Sequence, residues 1–418
     1  MTSGTTRRGV MAGVGAATLG GLCVRAARAQ QAAATPGEVK VGLLVPLSGP
    51  WARFGEIMRK GAELAVRHVN ERGGIAALGG ARLRLVVYDA GDSTERAKNA
   101  AQRMIAQEPE MVAASGAYLS TFTLAATEVT ERAELPMLTL SYSDLITGRG
   151  FRYVFQTSSR AGDQAREAIP TLVRLAESAS GRKPETVGIL TDNTAASVSF
   201  VEPIRAEAQS RFGLRIVVDE TFTPPMSDAT PLVQRLRSRR PDMLIFPVTV
   251  ISDAKLVLEK MNEYGLGRGR LPTIANGIAV AQTDMLQAMR AEDLEGLMTV
   301  VANWDAKGQE RIIEDWQRET GEPWMTQNAI STYGDIWIMK HALEMARRAD
   351  RRAVAEAIRT MDVTDGPAVY FPGRRIKFDA NGLRVNAGLM VVQWQRGRPV
   401  TVFPPESAVA EAFWPRRS

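Results

Sequence analysis

Cysteine is nearly absent from this chain: Cys23 is the only one in 418 residues. Beyond it, the chain cannot build a disulfide or a thiolate-based zinc or iron–sulfur site. Histidine is almost as scarce. His68 and His341 are the only two, so no His cluster has metal-ligand spacing. His68 lies on a helix flank between Arg67 and Val69, which suits a surface or boundary position better than catalysis. No G-x-S-x-G elbow occurs. Gly265-Leu266-Gly267-Arg268-Gly269 follows a helical pattern rather than a strand, so it does not fit a dinucleotide loop. No stripe of basic residues with interleaved aromatics is present, so nucleic acid is not an expected partner. No metal, cofactor or catalytic constellation emerges from what is left.

The N-terminus is composed differently from the rest. Arg7-Arg8-Gly9-Val10 opens a Gly/Ala-rich, weakly apolar stretch to Val24, followed by Arg25-Ala26-Ala27-Arg28-Ala29-Gln30. A basic start, a short apolar middle and an A-x-A end predict a secretory signal peptide over residues 1–29, cleaved after Ala29. Its apolar run falls short of the roughly 20 residues that a membrane anchor needs. The arginine pair and glycine-rich middle resemble a twin-arginine signal, with a Sec leader as the alternative. Bulky Leu22 directly before Cys23 argues against lipidation there. The leader also carries much of the charge. The whole chain has 52 basic and 46 acidic residues, a net +6. Four arginines and no acids lie in 1–29, so the mature chain holds 48 against 46, or +2. The expected working protein is nearly neutral, cysteine-free and periplasmic.

Length and composition then bound the mature part. With 45% hydrophobic and 23% charged residues it is an ordinary globular chain, long enough for two or three cores. Short apolar strands alternate with amphipathic helices. Val39–Val45 reads as a buried strand ended by Pro46 and Ser48-Gly49-Pro50. Residues 55–72 form a helix with Ile57, Leu64, Ala65 and Val69 on one face, stopped by Gly73-Gly74. Strands follow near 82–89, 111–115, 135–140, 151–156, 186–191, 214–222, 243–248, 271–275 and 296–301, separated by helices. A polar, mostly helical stretch covers 306–360, and the last strands are 376–378 and 387–394. This alternation predicts βαβ units and parallel sheets, an α/β fold. The strands outnumber what one doubly wound sheet commonly holds, so two Rossmann-like lobes are expected. Open α/β sheets bind ligands at their carboxyl edges. Two such edges facing each other would enclose a cleft.

The order of motifs along the chain is more specific. Leu47-Ser48-Gly49-Pro50-Trp51-Ala52-Arg53-Phe54-Gly55 follows the first strand. Gly61-Ala62-Glu63-Leu64-Ala65, then Val69-Asn70-Glu71-Arg72-Gly73-Gly74-Ile75, then a strand ending Tyr88-Asp89 come next. This series resembles the type I periplasmic binding proteins of the branched-chain amino acid (Leu/Ile/Val-binding) ABC transporter family, from about Val39 to Pro404. The resemblance implies two lobes joined by a three-segment hinge. The N-terminal lobe would hold 38–157 plus 303–386, and the C-terminal lobe 158–302 plus 387–410. It also implies a monomer that closes on a small molecule by hinge motion, delivers it to ABC permease subunits, and makes or breaks no bond. A ligand sensor of the same fold, as in amide-responsive regulators, is the alternative. The leader argues against a cytoplasmic regulator.

The resemblance also nominates ligand-binding residues. Gly116-Ala117-Tyr118-Leu119-Ser120 ends a strand and opens a helix, whose free N–H groups suit a carboxylate. A serine matching Ser120 holds the ligand carboxylate in the family, and Tyr118 lies beside it. Ser120 would also serve as an N-cap. Ser141, Tyr142 and Ser143 follow the next strand, where the family meets the ligand's polar end. Trp51 and Phe54 match an aromatic wall. Asn193, Thr249 and Asn276 sit in the turns of the other lobe, and Asn328 precedes a helix that returns to the first. Departures accompany the matches. Amino acid binders of the family place an acid where Asn276-Gly277 stands, to pair the ligand's ammonium. Two of their tyrosines are replaced by Ala196 and Thr249. A buried ammonium without a charged partner is costly. A carboxylate-bearing ligand other than an amino acid, or an amide, follows as an expectation.

Overall fold

The computed structural model describes residues 37–414 together with Met1. The signal peptide expected over 1–29 and Cys23 lie outside the described residues, apart from Met1.

The first sheet is wholly parallel. Its strands are β1 (Glu38–Val45), β2 (Arg82–Asp89), β3 (Ala113–Gly116), β4 (Met137–Thr139) and β5 (Val154–Gln156), in the order β2-β1-β3-β4-β5. Helices α1 (Ala52–Glu71), α2 (Thr94–Gln107) and α3 (Ser120–Arg132) connect them. β1 is apolar along nearly its whole length because a parallel strand is covered on both faces. Val41, Leu43, Leu44 and Val45 are all fully buried. Each such side chain contributes roughly 1.5–3 kcal/mol by leaving water. Asp89 fixes the loop after β1 by accepting hydrogen bonds from Leu47 N at 2.8 Å and Ser48 Oγ at 3.0 Å. That gives a physical reason for the Tyr88-Asp89 ending noted in the sequence.

The second sheet is built on α4 (Ala161–Ser180), β6 (Thr186–Asp192), α5 (Ala195–Glu207), β7 (Arg215–Phe222), α6 (Thr230–Arg239), β8 (Met243–Pro247), α7 (Ile251–Glu263), β9 (Thr273–Asn276), α8 (Asp284–Ala288), α9 (Ala291–Leu294) and β10 (Met298–Val301). The chain then runs through α10 (Glu310–Thr320), α11 (Gln327–Ala346) and α12 (Arg351–Thr360) to a small pair, β11 (Asp362–Val363) and β12 (Ile376–Lys377). It returns to the second sheet as β13 (Met390–Gln395) and β14 (Arg398–Phe403), giving the order β14-β13-β10-β9-β8-β6-β7. β6 to β10 are parallel, but β13 and β14 are antiparallel. The sheet is therefore mixed, not purely parallel. β14 escaped the sequence reading because Pro399 interrupts its pattern. A proline is tolerated there because β14 is an edge strand.

α11 packs against α1 of the first lobe. The contact is close: a Cβ on Gly61 would sit 2.5 Å from Ala329 O. α11 begins at Gln327, so Asn328 lies inside the helix that it was expected to precede. It is buried on every side through Met339, so it is not the one-faced helix that an apolar stripe implies.

Candidate ligand-binding site

The turn from β3 to α3 is held in a conformation that most residues avoid. Gly116, Ala117 and Tyr118 have φ of 129°, 66° and 54°. A Cβ on Gly116 would lie 2.0 Å from Leu44 O, so only glycine fits. Ala117 N donates to Leu44 O at 2.6 Å, and the Tyr118 ring stacks on Phe54 at 4.7 Å. Left-handed geometry in non-glycine residues costs of order 1 kcal/mol each and persists where neighbours enforce it. The helix that follows has no side-chain cap on its first turn, because its N-cap is Leu119. Ser120, at 1% exposure, works in the other direction. Its Oγ accepts from Tyr142 N and Ser143 N, both at 3.1 Å, tying the β3 and β4 turns together.

The facing turns of the second lobe are organised by Asp192, which is fully buried. Its Oδ1 accepts from Thr194 N at 3.0 Å and Thr194 Oγ1 at 2.7 Å. Its Oδ2 accepts from Thr249 N at 2.8 Å and Thr249 Oγ1 at 2.7 Å. One carboxylate at the end of β6 thus sets the turns before both α5 and α7. Its charge sits where two helix N-termini present positive ends.

Between these turns lies a cavity of about 450 Å³, its open mouth included. Tyr118, Leu119, Ser120, Leu140, Ser141, Tyr142, Ala196, Ser197, Val248, Thr249, Asn276, Gly277, Ile278, Gln327 and Asn328 line it. None of these side chains carries a full charge. Four helices open at or just beyond the lining, at Ser120 (α3), Ala195 (α5), Ile251 (α7) and Gln327 (α11). Their free N–H groups make the cavity favourable to negative charge.

Seven of the residues nominated from the sequence meet here: Tyr118, Ser120, Ser141, Tyr142, Thr249, Asn276 and Asn328. Four do not line the cavity. Trp51 packs edge-on against Phe122 at 5.4 Å, and Phe54 backs Tyr118, so the aromatic pair stands behind the wall. The Ser143 hydroxyl lies 3.1 Å from that of Ser199. Asn193 is exposed and donates to Thr223 Oγ1 at 2.9 Å.

Even some lining side chains have their polar atoms taken. The Ser141 hydroxyl donates to Tyr118 O at 2.8 Å and is surrounded by the Thr123 and Thr139 hydroxyls. The Tyr142 hydroxyl donates to Gln327 Oε1 and accepts from Ala302 N at 3.2 Å. Burial holds both Tyr118 and Tyr142 well above the usual phenol range, so both stay neutral.

A family model described as periplasmic binding protein matches residues 38–399. The chain belongs to the periplasmic binding protein family. One relative, Leu/Ile/Val-binding protein homolog 7 of Brucella melitensis, is 28% identical over 397 residues, covering 92% of this chain and 96% of that protein. The branched-chain amino acid transporter substrate-binding protein LivJ of Streptococcus pneumoniae, in complex with isoleucine, matches with a TM-score of 0.72 at 19% identity. The match covers 87% of this chain and 99% of LivJ. A solute-binding protein of an ABC transporter from Rhodopseudomonas palustris, in complex with 3,4-dihydroxybenzoic acid, matches with a TM-score of 0.73 at 19% identity. It covers 90% of this chain and 98% of that protein. At such identities the solved structures establish the fold. Over nearly its whole length the chain is similar to Leu/Ile/Val-binding protein homologues.

The two lobes of this binding protein also touch through polar contacts outside the cavity lining. Arg53 opens α1 on the first lobe and donates from Nε to Asp284 Oδ2 at 2.9 Å and from Nη2 to Thr283 Oγ1 at 3.0 Å on the second. Glu322 binds the same guanidinium at 2.9 and 2.7 Å and takes Lys60 Nζ at 2.9 Å. These partners hold the Glu322 carboxyl below its ordinary range despite its burial. Deeper in, Trp324 Nε1 donates to Ala281 O at 3.0 Å.

Gln327 is the lining residue that the sequence reading missed most completely. Its Oε1 accepts from Ala302 N at 2.8 Å and Asn303 N at 3.3 Å, fixing the chain as it leaves β10. Thr326 as an N-cap residue ahead of it was the available signal. Leu119, Leu140 and Val248 flank nominated positions and could have been found by extending each turn by one residue, whereas Ser197 and Ile278 lie four and two residues beyond Asn193 and Asn276.

Proposed function

We propose that this protein is the extracytoplasmic binding component of an ABC importer and captures a small carboxylate-bearing molecule in the cavity between its lobes. The observation that carries this reading is the set of donors left unpaired on the first-lobe side, in a lining without charge. The Ser120 hydroxyl has both lone pairs occupied by N–H groups, so its proton is free to meet an anion. The first-turn N–H groups of α3 have no cap. Asn328 is 1% exposed, and its Nδ2 has no partner among the described residues. Ser120, Asn328 and the start of α3 hold the carboxylate, while Tyr118, Ser141, Tyr142, Thr249 and Asn276 shape the rest. The relatives include binders of isoleucine and of 3,4-dihydroxybenzoic acid, both carboxylates.

The lobes exchange chain near 157/158, 302/303 and 386/387 and close around the ligand by hinge motion, and the closed face is what the permease recognises. A leader cleaved after Ala29 exports the chain to the periplasm. The protein binds without chemistry. Isothermal titration of the ligand-free mature protein against amino acids, aromatic acids and their amides tests the carboxylate. Amides that bind as well as the matching acids would refute it. Uptake of the identified ligand by cells lacking this gene tests transport: undiminished uptake refutes the importer role.

A further inference from the structure

The two sides of the cavity differ in hydrogen-bonding sense, and that difference specifies the ligand further. On the first-lobe side the Ser120 hydroxyl and Asn328 Nδ2 leave donors unpaired, as described. On the second-lobe side Thr249 and Asn276 keep only acceptors. Thr249 commits its hydroxyl proton to Asp192 Oδ2 at 2.7 Å. Asn276 commits Nδ2 to Gln164 Oε1 at 2.9 Å and to Val300 O at 3.1 Å, leaving Oδ1. The donors on that side are the Ser197 hydroxyl, whose oxygen meets Thr194 Oγ1 at 3.2 Å, and main-chain N–H groups in the uncapped first turn of α5, at Ala196 and Ser197. Leu119, Leu140, Val248 and Ile278 supply apolar surface in the same lining.

We infer that the ligand is a hydroxylated monocarboxylate whose carboxylate meets Ser120 and Asn328 and whose neutral hydroxyl sits among Thr249, Asn276 and the start of α5. This rests on the cavity being the ligand site, as proposed above. A hydroxyl both donates and accepts. It can donate to Thr249 Oγ1 or Asn276 Oδ1 while accepting from an α5 N–H group. An ammonium only donates, so it leaves the α5 N–H groups unpaired and faces the positive end of that helix. No carboxylate lines the cavity to balance it. Asp192 stands behind the lining, but each of its oxygens already receives two donors from Thr194 or Thr249.

The test uses ligand-free mature protein and two matched pairs: benzoate with 4-hydroxybenzoate, and leucine with its 2-hydroxy analogue, 2-hydroxy-4-methylpentanoate. Titration calorimetry is expected to show a hydroxy acid binding about tenfold or more tightly than its partner in at least one pair, with leucine never the tighter of its pair. Thr249→Val is expected to erase that advantage, bringing the affinity ratio of hydroxy acid to parent acid toward one. Leucine binding more tightly than its hydroxy analogue overturns the inference, as does equal affinity within both pairs. If either of those overturning results comes with Ser120→Ala weakening leucine and benzoate, the carboxylate site stands and only the hydroxyl assignment falls. If none of the four binds to protein that is folded by circular dichroism, the site reading itself falls. The wild-type panel decides even if Thr249→Val fails to fold.

Discussion

Replacing Ser120 by alanine separates a structural role from a ligand-binding one, because the same oxygen is assigned both. In the ligand-free protein Ser120 Oγ is the acceptor for Tyr142 N and Ser143 N at 3.1 Å, in a site with 1% exposure. Ser120→Ala leaves both N–H groups without an acceptor. A buried unpaired donor costs about 1–3 kcal/mol. Two of them, partly relieved by water entering from the cavity, give about 2–4 kcal/mol of lost stability. That is a large share of the roughly 5–15 kcal/mol typical of a folded protein, so the melting temperature should fall by several degrees. The ligand loses a separate interaction. A hydroxyl donating to a carboxylate is worth roughly 1.5–3 kcal/mol, which weakens Kd by about 10–150-fold. Differential scanning fluorimetry reads the first effect and calorimetric titration the second. Asn328→Ala is the control: its Nδ2 has no partner to abandon, so affinity should fall with a smaller drop in melting temperature. If Ser120→Ala lowers the melting temperature but leaves Kd unchanged, Ser120 is only a turn clamp and the carboxylate assignment fails.

Other consequences follow from the same contacts. Asp284→Asn breaks the ion pair to Arg53 across the cleft, and both groups are about a quarter exposed at 29% and 26%. Solvent screening limits the loss to roughly 0.5–1 kcal/mol of closure, a two- to fivefold weaker Kd that converges with wild type at high salt. Equal Kd values for the two proteins at low salt would sink this. Asp192→Asn puts an amide N–H₂ where the carboxylate receives four donors. Binding is expected to fall more than tenfold, because the turns before α5 and α7 lose their shared acceptor. A Kd within about twofold of wild type refutes that positioning role. Stability should also depend on pH. Burial pushes the carboxyls of Asp305 and Asp335 up to about 7 and that of Asp253 up to about 6. All three rise above their unfolded values, so their contribution is fully present below about pH 4 and is lost as pH climbs through 6 to 7. The melting temperature should fall between about pH 5 and pH 8, and Asp305→Asn should flatten that fall. An unchanged slope in the variant would refute the assignment to Asp305.

The local alternation of apolar strands and amphipathic helices was enough to fix the α/β class, the two sheets and the turns that carry the site. Strand and helix periods are written in nearby residues, and so are stop signals such as Pro46 and Gly73-Gly74. Ser120 was legible as a hydroxyl at a helix start, but the N-cap position expected of it belongs to Leu119. Tertiary structure decided which polar atoms remain free. Ser141 and Ser143 look equivalent to Ser120 in sequence, yet Thr123, Thr139 and Tyr118 consume one and Ser199 meets the other. Trp51 and Phe54 were displaced from the wall by Phe122 and Tyr118, which only the folded chain brings near. Gln327 entered because α11 starts before Asn328 rather than after it, and β13 runs antiparallel to β10, a pairing between segments far apart in the chain. The sequence alone therefore determined the edges and turns, whose signals are local. Which of the polar atoms facing the cavity stay free was decided by neighbours that are distant in the chain.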